Sequence, residues 1–377
     1  MRVLKGLVPT ILVGVVGNSV IYLIPLLVGG MVADRGFTEQ QAGLLASIDL
    51  GGYALATALT AWLVGRVNWR RLAYFGVALM VAANVVTTGL HAFDAFAAAR
   101  FASGLGCGVL AGLASVSLSQ TENPERNFGL LLAAALLFGT TGLWGLPVLL
   151  SQYGLNSAYW MLAGLALAVA FAAARLPQGN VAATSTGNSE HRLSWLLVGM
   201  VLLSVTLFWA EQNAVYAYIE RIGNAAGLQP TFIGFSLGMA NLTGFAGAAL
   251  VAWLGSRFGR VLPLVIATCL QLGCLSLLQG ELSSFRFIVG LGAMSLAWNV
   301  VNPFQLGILA GIDVSGKSLA LAATVTGIGL ALGPAAGSMA IAFGGYGAIL
   351  WLAAGLAVVS FALLLLPIRR MQAACSG

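Results

Sequence analysis

Residues 208–218 read FWAEQNAVYAY, and this segment places one acid and two amides among apolar neighbours. Glu211 could take up and release a proton, because a carboxyl group in a low-dielectric interior is protonated more readily than one in water. Gln212 and Asn213 could hydrogen-bond either to a ligand or to a neighbouring helix. The chemistry open to this segment is therefore proton transfer and the binding of a small polar or aromatic molecule.

The composition indicates which solvent surrounds such a segment. Hydrophobic residues make up 59% of the 377 residues and charged residues only 7%, whereas a soluble domain carries about 25% charged residues. Six charge-free runs reach the ~20 residues that span a bilayer. Two longer runs, which break at 151–156 and 343–347, are each long enough for two crossings, and two further helices contain one acid each, Asp49 and Glu211. The sequence predicts an all-α integral membrane protein with twelve transmembrane helices, whose surroundings are the lipid bilayer.

The net charge of +6 is explained by membrane topology rather than by a nucleic-acid partner. If the N-terminus lies inside, only Arg35, Arg100, Arg221 and Arg286 fall towards the outside, and this bias is what sets orientation. We therefore expect both termini in the cytoplasm and the chain in a bacterial inner membrane. The four cysteines have no CxxC spacing and both histidines stand at helix ends, so neither a disulfide framework nor a metal site is expected.

The chain is predicted to consist of two six-helix halves, 1–175 and 193–377, joined by a cytoplasmic linker at 176–192. The linker is rich in Gly, Ser, Thr and Asn. Four short patterns recur across it in the same order and at nearly constant separation, which indicates a duplication with pseudo-symmetric halves. The recurring patterns are 100–106 with 286–292, 61–66 with 252–257, 142–147 with 329–334, and 18–22 with 212–216.

Two parallel six-helix halves joined in this way are the architecture of one large group of transporters. The segment 63–71 resembles the loop motif Gly-x-Leu-Ala-Asp-Arg-x-Gly-Arg-Arg of the major facilitator superfamily, with Gly65 at the position of its acid, and 254–260 is a second copy with Ser256 there. The chain is similar to that family over essentially its whole length. The resemblance implies the family's fold and assigns a conformational or gating role to Arg66, Arg70, Arg71, Arg257, Arg260, Gly333 and Pro334. The last two belong to a Gly-Pro pattern in helix 11 that is similar to the family's antiporter motif.

The resemblance also implies a substrate site, because helices 1, 4, 7 and 10 line the central cavity in that family. Residues at i, i+3, i+4 and i+7 of helix 7 form one stripe. The expected substrate-binding residues are Asn18, Tyr22, Trp209, Gln212, Asn213, Tyr216, Trp298, Asn299 and Asn302. The alternative for the amides is that they hold the helices together by hydrogen bonds.

Two acids and one arginine are the candidates for proton coupling. An acid near the bilayer centre costs about 2.5–3.5 kcal/mol, and Glu211 and Asp49 both lie only about 5–6 Å from the midpoints of their helices. Arg100 falls at the arginine of the family's proton-coupling motif, Arg-x-x-x-Gly. We therefore expect Glu211, Asp49 and Arg100 to couple proton movement to transport. The alternatives are a structural acid at Glu211 and a structural salt bridge between Asp49 and Arg100.

The predicted function is a secondary active transporter that moves a small organic molecule by alternating access and is not an enzyme. No GxxxxGK[ST] loop is present, so we expect the proton gradient to supply the energy and no cofactor to be bound. The expected site has aromatics and amides but no deep lysine or arginine, which favours neutral or cationic amphiphiles and export by proton antiport from a monomer. Proton-coupled uptake and a sensor that does not transport are the alternatives.

Overall fold

The computed structural model describes residues 2–176, 195–254, 259–312 and 317–376. Within these ranges the chain forms helices and no strands. It separates into two compact units, Met1–Thr184 and Ser185–Gly377. The predicted linker at 176–192 lies outside the described residues except for Leu176, so its boundaries stay a prediction.

The N-terminal unit contains seven helical segments. They are α1 (Arg2–Gly17), α2 (Ser19–Arg35), α3 (Glu39–Leu63), α4 (Trp69–Thr87), α5 (Phe93–Ser119), α6 (Pro124–Tyr153) and α7 (Asn156–Ala173). The C-terminal unit contains α8 (Trp195–Ala225), α9 (Pro230–Leu254), α10 (Val261–Leu277), α11 (Ser284–Ile312) and α12 (Lys317–Ser376).

Nine helical spans in the described residues are long and apolar enough to cross a bilayer. The first, Gly6–Arg35, joins α1 and α2 across Asn18. The last, Leu321–Met371, has 51 residues, and α12 leaves helical geometry inside it at Gly344 and Gly345. Two crossings fit a span of this length, since about 20 residues cross the hydrocarbon core. Counted in this way, and with α4 and the 17-residue α10 added, the elements are consistent with twelve membrane helices. The predicted all-helical membrane fold is confirmed.

The helices begin and end at residues whose local chemistry favours a boundary. Thr38 and Gln41 form a capping box at the start of α3, in which each side chain accepts a hydrogen bond from the other residue's backbone N–H. The two breaks predicted inside the long apolar runs occur at Gly154 and Gly345. Both glycines adopt positive φ, 68° and 64°, a conformation that side chains with a Cβ disfavour.

In the N-terminal unit, α3 and α5 pack with their backbones close together. A Cβ added at Gly104 would collide with the carbonyl oxygen of Asp49, and one at Gly108 would collide with that of Tyr53. Small residues allow such an approach where lipid provides no hydrophobic drive for helix association. This contact brings Asp49 on α3 beside the start of α5, which carries Arg100.

In the C-terminal unit, α8 packs against α12 by the same means. A Cβ at Gly329 would lie 2.7 Å from Cβ of Trp209, and one at Gly333 would lie 2.7 Å from Cβ of Asn213. A buried apolar cluster adjoins this contact and includes Phe208 and members of α10, α11 and α12. The cluster and the glycine contact together fix the rotation of α8, and hence which of its polar residues point inward.

Candidate functional site

Glu211 lies on the face of α8 that is buried inside its own unit. None of its surface is exposed. One carboxylate oxygen accepts a hydrogen bond of 2.6 Å from Nε2 of Gln271 on α10, and the other accepts one of 3.3 Å from Nε2 of Gln212. Within the described residues it takes part in no ion pair. The acid is therefore solvated by amide groups rather than neutralised by a cation.

A small cavity borders this carboxyl group between α8, α10, α11 and α12. Its volume is about 10 Å³, which is room for one water molecule. Four of its lining residues are polar, namely Glu211, Thr268, Gln271 and Ser360, and the others include Phe208, Leu264 and Val301. The cavity is mostly apolar, and its four polar residues are the groups to which a single water beside the acid could hydrogen-bond.

A second cluster of buried polar side chains lies in the same unit, and it was not predicted from the sequence. The hydroxyl groups of Ser204 on α8 and Ser360 on α12 each donate to the other residue's carbonyl oxygen, at 2.8 and 2.9 Å. Gln305 on α11 donates to the Ser204 hydroxyl at 3.1 Å. The buried amide oxygens of Gln271 and Gln305 have no hydrogen-bond partner among the described residues. The signal that could have found Gln271 is that it is the only amide side chain in α10, a mostly apolar helix.

An aromatic cluster brings together three of the predicted substrate-binding residues. The ring of Trp298 on α11 meets that of Trp209 edge to face at 5.2 Å and that of Tyr216 at 6.3 Å. All three rings are half-buried. The N–H group of the Trp209 indole is enclosed and has no acceptor among the described residues. The cluster therefore presents partly exposed aromatic rings, and a buried, unpaired indole N–H group lies within it.

The predicted amides are arranged less uniformly than a single binding stripe requires. Asn213 donates to the carbonyl oxygen of Trp209 and Asn299 to that of Ser295, both at 2.9 Å and both within their own helices. Gln212 is fully buried and turns towards Glu211. Asn302 is half-buried. The structure thus groups the aromatic residues of the predicted set but directs Gln212 to the acid.

The predicted residues of the N-terminal unit lie around the junction of α1 and α2. Asn18 donates to the carbonyl oxygen of Gly14 at 2.7 Å and accepts a hydrogen bond from the hydroxyl of Tyr53 at 2.8 Å. Tyr22 packs against the buried cluster that contains Val15 and Leu131. Tyr53 was not predicted, because nothing in the sequence shows that α3 places it opposite Asn18.

Asp49 and Arg100 form a buried ion pair, as the sequence allowed. Oδ2 of Asp49 accepts from Nη2 of Arg100 at 2.5 Å and from Nε at 2.9 Å. The guanidinium group also donates to Asn84 at 2.9 Å and to Ser103 at 3.1 Å, and it lies 4.9 Å from the ring centre of Tyr159. Arg100 is only 1% exposed. These polar contacts satisfy a charge that would otherwise be costly to bury.

The arginine that repeats Arg100 in the second half has a different environment. Arg286 donates to the carbonyl oxygens of Glu281 at 2.5 Å and Gln279 at 2.8 Å, just beyond the end of α10. It therefore stays at the helix end and binds backbone carbonyls.

The predicted gating arginines that the structure describes lie at or next to helix ends. Arg66 stacks on the ring of Trp62 at 3.8 Å, Arg70 donates to the carbonyl oxygen of Leu176 at 3.1 Å, and Arg71 is exposed. The Arg260 side chain contacts the sulfur of Met371 at 3.3 Å. Arg257 lies outside the described residues.

Gly333 and Pro334 are both buried in α12. Gly333 belongs to the close contact with α8, since a Cβ added there would lie 2.6 Å from the carbonyl oxygen of Ala210. Its position couples the geometry of α12 directly to the helix that carries Glu211 and Trp209.

Comparison with known proteins identifies the family. The profile of the Major Facilitator Superfamily matches residues 10–278. This chain belongs to that superfamily. It is 26% identical over 352 residues to the "uncharacterized MFS-type transporter YcaD" of Escherichia fergusonii, covering 89% of this chain and 86% of the relative. It is 27% identical over 308 residues to YcaD of Escherichia coli, covering 78% and 77%.

Solved structures support the same fold. The nucleoside transporter NupG superposes with a TM-score of 0.76 at 13% identity and covers 97% of this chain and 98% of its own. A mutant of the peptide transporter POT superposes with a TM-score of 0.73 at 15% identity and covers 97% and 95%. The chain is therefore a multi-pass integral membrane protein of a transporter family whose members move small molecules.

Proposed function

We propose that this superfamily member moves a small organic molecule by alternating access and that proton movement through Glu211 drives the cycle. The observation that carries the proposal is the environment of the Glu211 carboxyl group. It is completely buried, its hydrogen bonds come from amides, and it borders a cavity with room for one water molecule. A permanently ionised carboxylate without a cation is costly in such a place. A carboxyl group that gains and loses a proton, with a water beside it, suits the site.

The substrate class follows from the aromatic cluster. Trp209, Tyr216 and Trp298 present ring faces and one indole N–H group, which suits an amphiphilic molecule with an aromatic or cationic part. An organic anion would require a free positive charge. The Arg100 guanidinium is occupied by Asp49, Asn84 and Ser103. We therefore propose a neutral or cationic amphiphile as the substrate.

Export by proton antiport is the direction that this substrate class favours. In our proposal the proton gradient of a bacterial inner membrane supplies the energy, no cofactor takes part, and the chain acts as a monomer with both termini in the cytoplasm. Asp49 is the second coupling residue, since release of its carboxylate from Arg100 would allow it to be protonated. Arg100 acts by holding or releasing that carboxylate.

The test is a flux assay with purified protein in proteoliposomes. The probe is ethidium, a fluorescent organic cation, and the gradient is imposed with the vesicle interior acidic. Antiport predicts that ethidium accumulates inside as protons leave, whereas symport predicts accumulation only with the opposite gradient. Glu211→Gln should abolish the gradient-driven movement, while the exposed Glu122→Gln should not.

Undiminished proton-driven flux in Glu211→Gln would remove this residue from the mechanism. Accumulation only with the exterior acidic would replace antiport with symport. Absence of flux for ethidium and for a panel of neutral amphiphiles would contradict the proposed substrate class.

A further inference from the structure

Four exposed arginines gather where α3 ends, α4 begins and α7 ends. Arg66 lies in the turn after α3, Arg70 and Arg71 lie in the first turn of α4, and Arg175 follows the end of α7. The hydrogen bond from Nε of Arg70 to the carbonyl oxygen of Leu176 joins the start of α4 to the end of α7. It therefore places Arg70 next to the residue that follows Arg175.

Local hydrogen bonds fix the shape of this turn. The indole N–H of Trp69 donates to the carbonyl oxygen of Val64 at 2.9 Å. The side-chain oxygen of Asn68 accepts from the backbone N–H groups of Arg70 and Arg71. These contacts satisfy backbone groups of the turn and use no guanidinium N–H group.

Among the described residues, no acidic side chain forms an ion pair with the arginines of this turn. Residues 63–71 contain no Asp or Glu. The one ion pair in the part of the chain that the structure describes joins Arg100 to Asp49, and none of the four arginines takes part in it. Like charges held together repel one another, so an anionic ligand would stabilise the arrangement.

The surface of α3 leading to the turn is apolar and exposed. Leu55, Leu59 and Trp62 are 48%, 46% and 60% exposed, and their spacing of i, i+4 and i+7 places them on one face of the helix. The Arg66 guanidinium lies over the Trp62 ring. Tryptophan at the end of a membrane helix marks the depth of the lipid headgroups. The arginines therefore lie at headgroup depth, directly beyond an apolar stripe.

We propose that this surface binds an anionic phospholipid. Its phosphate would contact Arg66, Arg70 and Arg71, since the guanidinium fork matches phosphate oxygens and can donate two hydrogen bonds to them. An acyl chain would lie along Leu55, Leu59 and Trp62. Anionic lipids attract basic clusters at a membrane surface, and the charge of the turn and the apolar stripe together match both parts of such a molecule.

The test is native mass spectrometry of the purified full-length protein with phosphatidylglycerol or with zwitterionic phosphatidylcholine. The wild type should retain phosphatidylglycerol at concentrations at which phosphatidylcholine dissociates. Arg70→Gln with Arg71→Gln should weaken phosphatidylglycerol binding about tenfold or more, because each arginine contributes separately to the attraction. The matched control is Arg369→Gln with Arg370→Gln, an adjacent exposed pair in α12, which should leave binding unchanged.

Arg70→Gln also removes the hydrogen bond to Leu176, and this loss could disturb folding. Two further variants avoid that problem. Arg66→Gln and Trp62→Leu leave that hydrogen bond intact and should each weaken phosphatidylglycerol binding. Equal binding of the two lipids, or an equal loss in the α12 control, would overturn the site. If millimolar inorganic phosphate raised the melting temperature as phosphatidylglycerol does, the ligand would be a soluble anion and the lipid assignment would be wrong.

Discussion

At the residue scale, the ionisable groups inside the two units are stabilised in different ways. Arg100 and Asp49 neutralise each other, and Asn84 and Ser103 complete the hydrogen bonding of the guanidinium group. Glu211 receives only amide N–H groups among the described residues. The first arrangement depends on both partners being charged, whereas the second tolerates a neutral acid. The two sites should therefore respond differently when a charge is removed.

The Asp49–Arg100 pair predicts a characteristic double-mutant result. Asp49→Asn and Arg100→Gln should each destabilise the protein by about 3–5 kcal/mol, because each leaves a buried charge unpaired. The double variant should recover much of that loss, since neither charge then remains. Thermal unfolding of the four proteins in one detergent measures the coupling. Strictly additive losses would show that the two side chains do not stabilise each other.

The indole N–H of Trp209 provides a second prediction, which concerns substrate affinity. Trp209→Phe keeps an aromatic ring next to Trp298 but removes the enclosed donor. If that donor bonds to the substrate, KM for ethidium or a related amphiphile should rise about threefold to tenfold, the range expected for one hydrogen bond. An unchanged KM in Trp209→Phe, with a raised KM in Trp209→Ala, would show that only the ring contributes.

Individual residues also show what the sequence could and could not predict. The Asp49–Arg100 pair could be predicted because few charges lie inside the membrane segments and each needs a partner. Gln271, Asn84 and Tyr53 could not be assigned to the sites they complete, because they come from other helices. Their contacts depend on how each helix is rotated, which is decided by tertiary packing rather than by local pattern.

At the element scale, α8 combines two environments on one helix. Glu211 faces α10 and the cavity, whereas Trp209 and Tyr216 contact Trp298 on α11. The rotation of α8 is set by its contact with the glycines of α12. A change at that contact should therefore disturb the acid and the aromatic cluster together.

Gly333→Ala tests this contact. The added Cβ would lie 2.6 Å from the carbonyl oxygen of Ala210, so one of the two helices must move, and overpacking of this kind costs about 1–3 kcal/mol. Gly355→Ala, in the second crossing of α12, is the control, because a Cβ there meets no atom within 4 Å. Thermal unfolding should separate the two variants. Equal stability of Gly333→Ala and Gly355→Ala would mean that the close contact does not hold α8 in place.

At the scale of the whole molecule, hydrophobic run length identified the membrane fold, and the glycines that interrupt the runs marked the helix ends. Those signals are local in sequence, which is why the fold class could be predicted. Length and composition identify nine spans in the described residues, whereas the sequence predicts twelve helices. The numbers differ because α12 includes two crossings and because α4 and α10 are short or less apolar. Orientation rests on the distribution of basic residues alone.

The orientation is tested by fusing a reporter enzyme that is active only in the periplasm. A fusion after Gly377 should be inactive, since the C-terminus is expected in the cytoplasm. A fusion truncated at Gly154, between α6 and α7, should be active because five crossings carry that turn to the outside. The reverse pattern would invert the assigned topology, and activity at both positions would contradict an even number of helices.

The two faces of α8 also bear on how such a protein can change its substrate over evolutionary time. Substitutions around Trp209, Tyr216 and Trp298 alter the surface offered to a ligand without touching the side chains that bind Glu211. Selection could therefore exchange one substrate for another while the energy-converting part of the helix is inherited unchanged. The same separation would let an engineer diversify the aromatic residues by mutagenesis and keep Glu211, Gln271 and their cavity as a constant driving unit.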